Sequence, residues 1–157
     1  MKDTFLLPGD FVFFYPQNFI DRTVAYWTGR YNHCSIHLAE GLMLSARVLK
    51  GIDFDLVEEF NPHYDIYRIE GITEKEVKEM INFAISLRGR KYDLRQAISI
   101  PFNRILPFRS SHYFCSEFLA VCCIRAGYIP SVLPEIISPT QLANQEFLKQ
   151  IRRKRER

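Results

Sequence analysis

No stretch of the chain approaches the roughly 20 consecutive apolar residues that a membrane-spanning helix needs. The first residues, Met1-Lys2-Asp3-Thr4, run into the turn Pro8-Gly9-Asp10 with no signal-peptide core between them. These absences predict a cytoplasmic protein with no transmembrane segment. Glycine is scarce, at 7 of 157 residues, and no internal repeat occurs, which excludes collagen-like and solenoid architectures. A strong charge of one sign is missing as well. The net charge is +3, and the last six residues, Arg152 to Arg157, hold five basic side chains and one acidic. The remainder is therefore close to neutral, and no nucleic-acid-binding face is predicted. No C-x-x-C pair exists. The four cysteines, Cys34, Cys115, Cys122 and Cys123, include an adjacent pair and make a poor disulfide framework, so a reducing compartment is expected.

What is present is ordinary for a packed protein: 47% hydrophobic and 25% charged residues. We expect one domain over residues 1–150 and a basic, disordered tail over 151–157, which leaves room for peripheral contact with an anionic membrane. Pro8-Gly9 signals a turn, and Phe11 to Tyr15 reads as a buried strand closed by Pro16. Phe19, Ile20, Val24 and Trp27 have helical spacing. His33 to Ala39 and Leu42 to Val48 read as two strands around Glu40-Gly41, a hairpin turn, and Tyr64 to Ile69 as another strand. Thr73 with Glu76 forms a capping box ahead of Val77, Met80, Ile81, Ala84 and Ile85 on one helical face. Residues 90–112 suggest a short helix and a loop. Cys115 to Ala126 is a second clear helix, and Ser138-Pro139-Thr140-Gln141 opens a last one. Strands followed by helices predict an α+β domain with an antiparallel sheet or small barrel packed against helices.

Chemistry points first to Cys115. It stands at a predicted helix start, where unpaired N–H groups and the positive end of the helix dipole favour a thiolate and an oxyanion beside it. The competing reading is a small buried hydrophobe, and for Cys122 and Cys123, deep in the same helix, that reading prevails. A thiolate needs a base. His63 and His112 fall in loops. His33 and His37 share one face of a strand with Ser35 and Ala39, while Cys34, Ile36 and Leu38 take the other. Either histidine can serve as a base held by the sheet or as a hydrogen-bonded core residue. A metal site is not expected: four strand residues span roughly 13 Å, too far for His33 and His37 to share an ion, and Cys34 points away.

The blocks Pro8-Gly9-Asp10-Phe11-Val12-Phe13-Phe14, Asn32-His33-Cys34-Ser35-Ile36-His37-Leu38, Gly41 and Ser45-Ala46 resemble the sheet of the NlpC/P60 cysteine hydrolases. There the nucleophile precedes these strands, whereas here a cysteine appears late, in Tyr113-Phe114-Cys115-Ser116-Glu117-Phe118. With Gly89…Tyr92-Asp93 before it and Ser138-Pro139…Leu142 after it, that order resembles the circularly permuted, YiiX/YebB-like branch of the papain fold. The resemblance covers residues 8 to about 148. It implies a papain-like fold, Cys115 as nucleophile, His33 as base and Ser45 as the third, orienting residue. It further implies hydrolysis or acyl transfer at an amide or ester bond of a peptide, amino-acid amide or lipid, with no cofactor. Ser45 departs from the family, since a hydroxyl supplies no charge to an imidazolium. The departure supports a second expectation, a catalytically weak papain-like module that binds a peptide or acyl ligand. Tyr92 and Tyr113 are expected to line the substrate pocket or donate to the oxyanion, or else to be aromatic packing.

Overall fold

The apolar run Phe11–Phe14 forms β1 and is buried along its whole length. A strand with no polar side belongs in the middle of a sheet. Accordingly β1 pairs antiparallel with His33–Ala39 (β2) on one side and Tyr64–Ile69 (β5) on the other. Leu42–Arg47 (β3), Gly51–Leu56 (β4) and Leu148–Lys154 (β6) complete a six-stranded sheet, in the order β4-β3-β2-β1-β5-β6 and antiparallel at every pairing. Among the described residues three α-helices accompany it: α1 (Glu74–Ser86), α2 (Cys115–Arg125) and α3 (Pro139–Ala143). The computed structural model describes residues 6–17, 29–47, 50–60, 62–91, 115–134 and 137–154. The helical spacing read between 19 and 28, and nearly all of the stretch read as short helix and loop over 90–112, lie outside the described residues.

Local chemistry sets these elements. Glu40 and Gly41 both have positive φ, 43° and 81°, as a tight hairpin turn requires, and the turn fixes the β2–β3 register at Ile36↔Leu44 and His37↔Met43. Gly9 also has positive φ, and a Cβ there would sit 2.8 Å from Val77 Cγ1. Only glycine lets α1 lie this close to the entrance of β1. Both expected capping boxes form: Thr73 with Glu76 starts α1, and Ser138 with Gln141 starts α3, with Pro139 at its first position.

The sheet has two apolar faces. Phe11, Phe13, Cys34, Ile36, Leu44, Ala46 and Ile52 pack with Met80 and Ala84 of α1 and with Cys115, Phe118, Leu119 and Cys122 of α2. Val12, Phe14, Met43, Tyr64 and Ile66 form a smaller cluster behind, joined by Leu6, Val57 and Phe60. Each large side chain so buried stabilises the fold by about 1.5–3 kcal/mol, and the larger cluster fixes where α2 begins over the sheet.

Two stretches differ from the sequence expectation. Gly51–Leu56 is a strand, pairing Ser45↔Asp53 and Met43↔Asp55. The expected disordered tail after residue 150 is corrected more plainly: β6 runs to Lys154, from Ile69↔Leu148 to Tyr64↔Lys154. An edge strand needs only one partner, and basic side chains there discourage pairing with a foreign chain. In composition such a strand looks like a solvated tail.

Candidate active site

His33 opens β2 opposite Phe14. Its ring stacks on Phe60, with centroids 5.0 Å apart and planes 5° apart, and lies 5.9 Å from Phe14. Strand alternation puts Ser35 on the same face, and Ser35 Oγ is 3.2 Å from His33 Nε2. One ring nitrogen is thus engaged by a hydroxyl, and aromatic contacts fix the plane of the ring.

Cys115 is the first residue of α2. Phe118, Leu119 and Cys122 seat that helix on the sheet, and Ser116 Oγ donates to the Ile137 carbonyl at 2.6 Å, anchoring its first turn. The Cys115 sulfur meets Cys34 and His33. A hydrogen bond from the Cys34 side chain is the largest influence on it; burial opposes, and the His33 side chain and the Cys34 backbone N–H add to the first. The sum holds the Cys115 thiol well below the ordinary cysteine range, in the direction a helix N-terminus also favours. Cys34 goes the other way. Burial, followed by its interactions with Cys115, pushes its thiol well up. The pair therefore divides into a Cys115 thiolate and a Cys34 thiol, because only Cys115 has both the imidazole and the helix end. Cys122 and Cys123 are fully buried, their thiols raised by burial, as core cysteines are.

The structure thus brings the Cys115 sulfur and the His33 side chain together, and the Ser45 hydroxyl has a different partner. Ser45 faces the same side of the sheet as His33, but its hydroxyl donates to Asp55 Oδ2, a carboxylate that also receives Arg47 Nη1 at 3.0 Å and Lys50 Nζ at 2.7 Å. Burial raises the Asp55 carboxyl, and the hydrogen bonds from Lys50, Ser45 and Arg47 outweigh it, leaving the group below its usual range. The hydroxyl at the imidazole is that of Ser35, not Ser45. The alternation already placed Ser35 on the right face; which serine reaches the ring is settled by side-chain packing. Cys34 was missed for the converse reason, since it lies on the opposite face from His33 and joins the site only because α2 crosses that face.

His37 takes the structural role. Its Nδ1 lies 3.0 Å from the Leu7 carbonyl and its Nε2 accepts from the Gly41 N–H at 3.3 Å. Both ring nitrogens are spent on backbone, and the ring braces the hairpin against the residues before β1. His63 sits in a loop, its carbonyl accepting from the Tyr15 N–H at 3.2 Å. Tyr92, His112 and Tyr113 lie outside the described residues.

The fold defines a class: a six-stranded antiparallel sheet whose described α-helices lie between the fifth and sixth strands in the chain. The crystal structure of the metalloprotein yiiX from Escherichia coli O157:H7, DUF1105, has this fold, with a TM-score of 0.70 to the present chain over 93% of it and 96% of that chain, at 14% sequence identity. At that identity the likeness is one of fold. No family model and no curated protein matches the chain. Among the described residues, no three or more His, Cys, Asp or Glu side chains are grouped so as to hold a metal ion. No helix among them is long and apolar enough to cross a membrane.

Proposed function

We propose that the chain is a papain-like thiol hydrolase or acyltransferase of the permuted NlpC/P60 type, acting on an amide or ester bond of a peptide, an amino-acid amide or a lipid. The observation that carries this reading is the contact of the Cys115 sulfur, at the first position of α2, with the His33 side chain. In this scheme the Cys115 proton passes to His33, leaving the thiolate. With Nε2–H donating to Ser35 Oγ, the Nδ1 side of the ring serves the sulfur. The thiolate attacks the substrate carbonyl carbon, forming an S–C bond, and N–H groups of the first turn of α2 receive the negative oxygen. His33 gives its proton to the leaving amine or alcohol as the C–N or C–O bond breaks. Water or another acceptor then attacks the thioester, His33 takes its proton, and the thiolate returns.

A second reading, a module that binds a peptide or acyl ligand and turns it over poorly, is favoured by one observation. The partner of the far His33 nitrogen is a neutral serine hydroxyl rather than a carboxylate, so an imidazolium gains little from it. The two readings part on one comparison. Against a panel of activated esters and amino-acid amides, the native protein should release product and Cys115→Ser should not, with the fold intact by circular dichroism. Equal turnover by the serine variant refutes the nucleophile; no turnover by either protein, together with ligand binding, favours the module.

A further inference from the structure

Beyond lowering the Cys115 thiol, the hydrolytic scheme gives Cys34 no part in bond making, yet its thiol lies against the Cys115 sulfur. Both residues are free cysteines, 0% and 4% exposed, packed in one core cluster between β2 and the start of α2. A thiolate held against a protonated thiol has the two partners of a dithiol–disulfide couple already in place, so their reaction is effectively unimolecular. Nothing in acyl transfer requires the second sulfur.

We propose that Cys34 is the resolving partner of Cys115, and that a hydroperoxide converts the pair into a reversible intramolecular disulfide that takes the nucleophile out of use. In the first step the Cys115 thiolate attacks a peroxide oxygen. An S–O bond forms, the O–O bond breaks, and hydroxide or alkoxide leaves, with Cys115 now a sulfenic acid. In the second step the Cys34 sulfur attacks the Cys115 sulfur. The S–S bond forms, the S–O bond breaks, and the Cys34 proton departs with the hydroxyl as water. Two electrons have passed from the two sulfurs to the peroxide, and a thiol reductant returns them. The disulfide would also spare Cys115 from the irreversible sulfinic and sulfonic states. Cys123 is the internal competitor, since it lies close enough to Cys34 to influence its thiol, but its own thiol is held protonated by burial and cannot begin the sequence.

The proposal rests on the Cys115 thiolate of the reading above but not on acyl transfer, so a chain that hydrolyses nothing would still form this bond. The test uses the full chain and hydrogen peroxide near stoichiometry, followed by alkylation and non-reducing peptide mapping by mass spectrometry. A Cys34–Cys115 linked peptide is expected, with the chain lighter by two hydrogens. Alkylation of Cys115 should fall about tenfold and return with dithiothreitol. In Cys34→Ser the link should vanish, and Cys115 should instead be trapped by dimedone and go on to gain two or three oxygens. The native measurement stands whether or not that variant folds. Three outcomes overturn the proposal: Cys115 oxygenated in the native protein with Cys34 untouched, a Cys34–Cys123 link in its place, or a peroxide-treated chain with no change at either residue. Fast labelling of Cys115 before peroxide, followed by any of these, would remove the role of Cys34 and leave the acyl-transfer reading standing.

Discussion

Replacing His33 by Phe keeps an aromatic ring to stack on Phe60 and deletes both ring nitrogens, which isolates what the imidazole does for Cys115. A hydrogen bond to a charged group contributes about 1.5–3 kcal/mol, and one pKa unit corresponds to about 1.36 kcal/mol. The variant should therefore raise the Cys115 thiol toward the ordinary cysteine range. It will remain below an ordinary cysteine, because the Cys34 thiol and its backbone N–H still donate to the sulfur. At a pH below both inflections, losing about 2 kcal/mol of that stabilisation lowers the thiolate fraction about 30-fold. The more basic sulfur is also the stronger nucleophile, with a Brønsted coefficient of about 0.4–0.5, which recovers about fivefold. The net expectation is alkylation about sixfold slower at a pH below both inflections, with the inflection of the pH–rate curve moved to higher pH. Iodoacetamide labelling followed site by site with peptide mass spectrometry reads this directly, since the other three thiols are pushed up by burial and that of Cys115 is lowered. Superimposable native and variant curves would refute the pairing of the two side chains.

Ser35→Ala should lower turnover about tenfold by freeing the ring that Ser35 Oγ holds at 3.2 Å, with the fold intact. Ser45→Ala should leave turnover unchanged and destabilise by about 1 kcal/mol through Asp55; the reverse pattern in the two steady-state assays would restore Ser45 to the third position. Asp55 also sets a pH dependence. Its folded carboxyl lies below its unfolded value, so its contribution to stability is complete above about pH 3.9 and is lost as pH falls through the lower folded value. Urea midpoints should drop across that acid window in the native chain and drop less in Asp55→Asn; equal slopes would show that the Lys50, Ser45 and Arg47 hydrogen bonds do not favour the charged form.

Local rules wrote much of this fold into the sequence. The Thr73–Glu76 and Ser138–Gln141 boxes and the Glu40-Gly41 turn each depend on residues within four positions, and each forms. The strands 33–39 and 64–69 follow from unbroken apolar or alternating runs. β4 was hidden because Asp53 and Asp55 are poor strand formers in isolation. They are tolerated there because Arg88 pairs with the first at 2.7 Å, and Lys50 and Arg47 pair with the second. β6 was hidden by its charge, which only the edge position explains. The site was legible in the same measure. Cys115 and His33 were readable as a helix start and a strand face, whereas packing sets the Ser35 hydroxyl beside the His33 ring and the Ser45 hydroxyl on Asp55, and Cys34 enters from the opposite face of its own strand. Neither fact is contained in any local window.

The account's central claim is that acyl groups pass through the Cys115 sulfur with His33 as its base. The most direct measurement is the mass of the protein after brief reaction with an activated ester, with the modified residue located by peptide mapping at acid pH to preserve the thioester. The account predicts a single acyl group on Cys115, lost on return to neutral pH in the native chain and formed far more slowly in His33→Phe. An acyl group found on another residue, or accumulating on Cys115 at the same rate without His33, would contradict it.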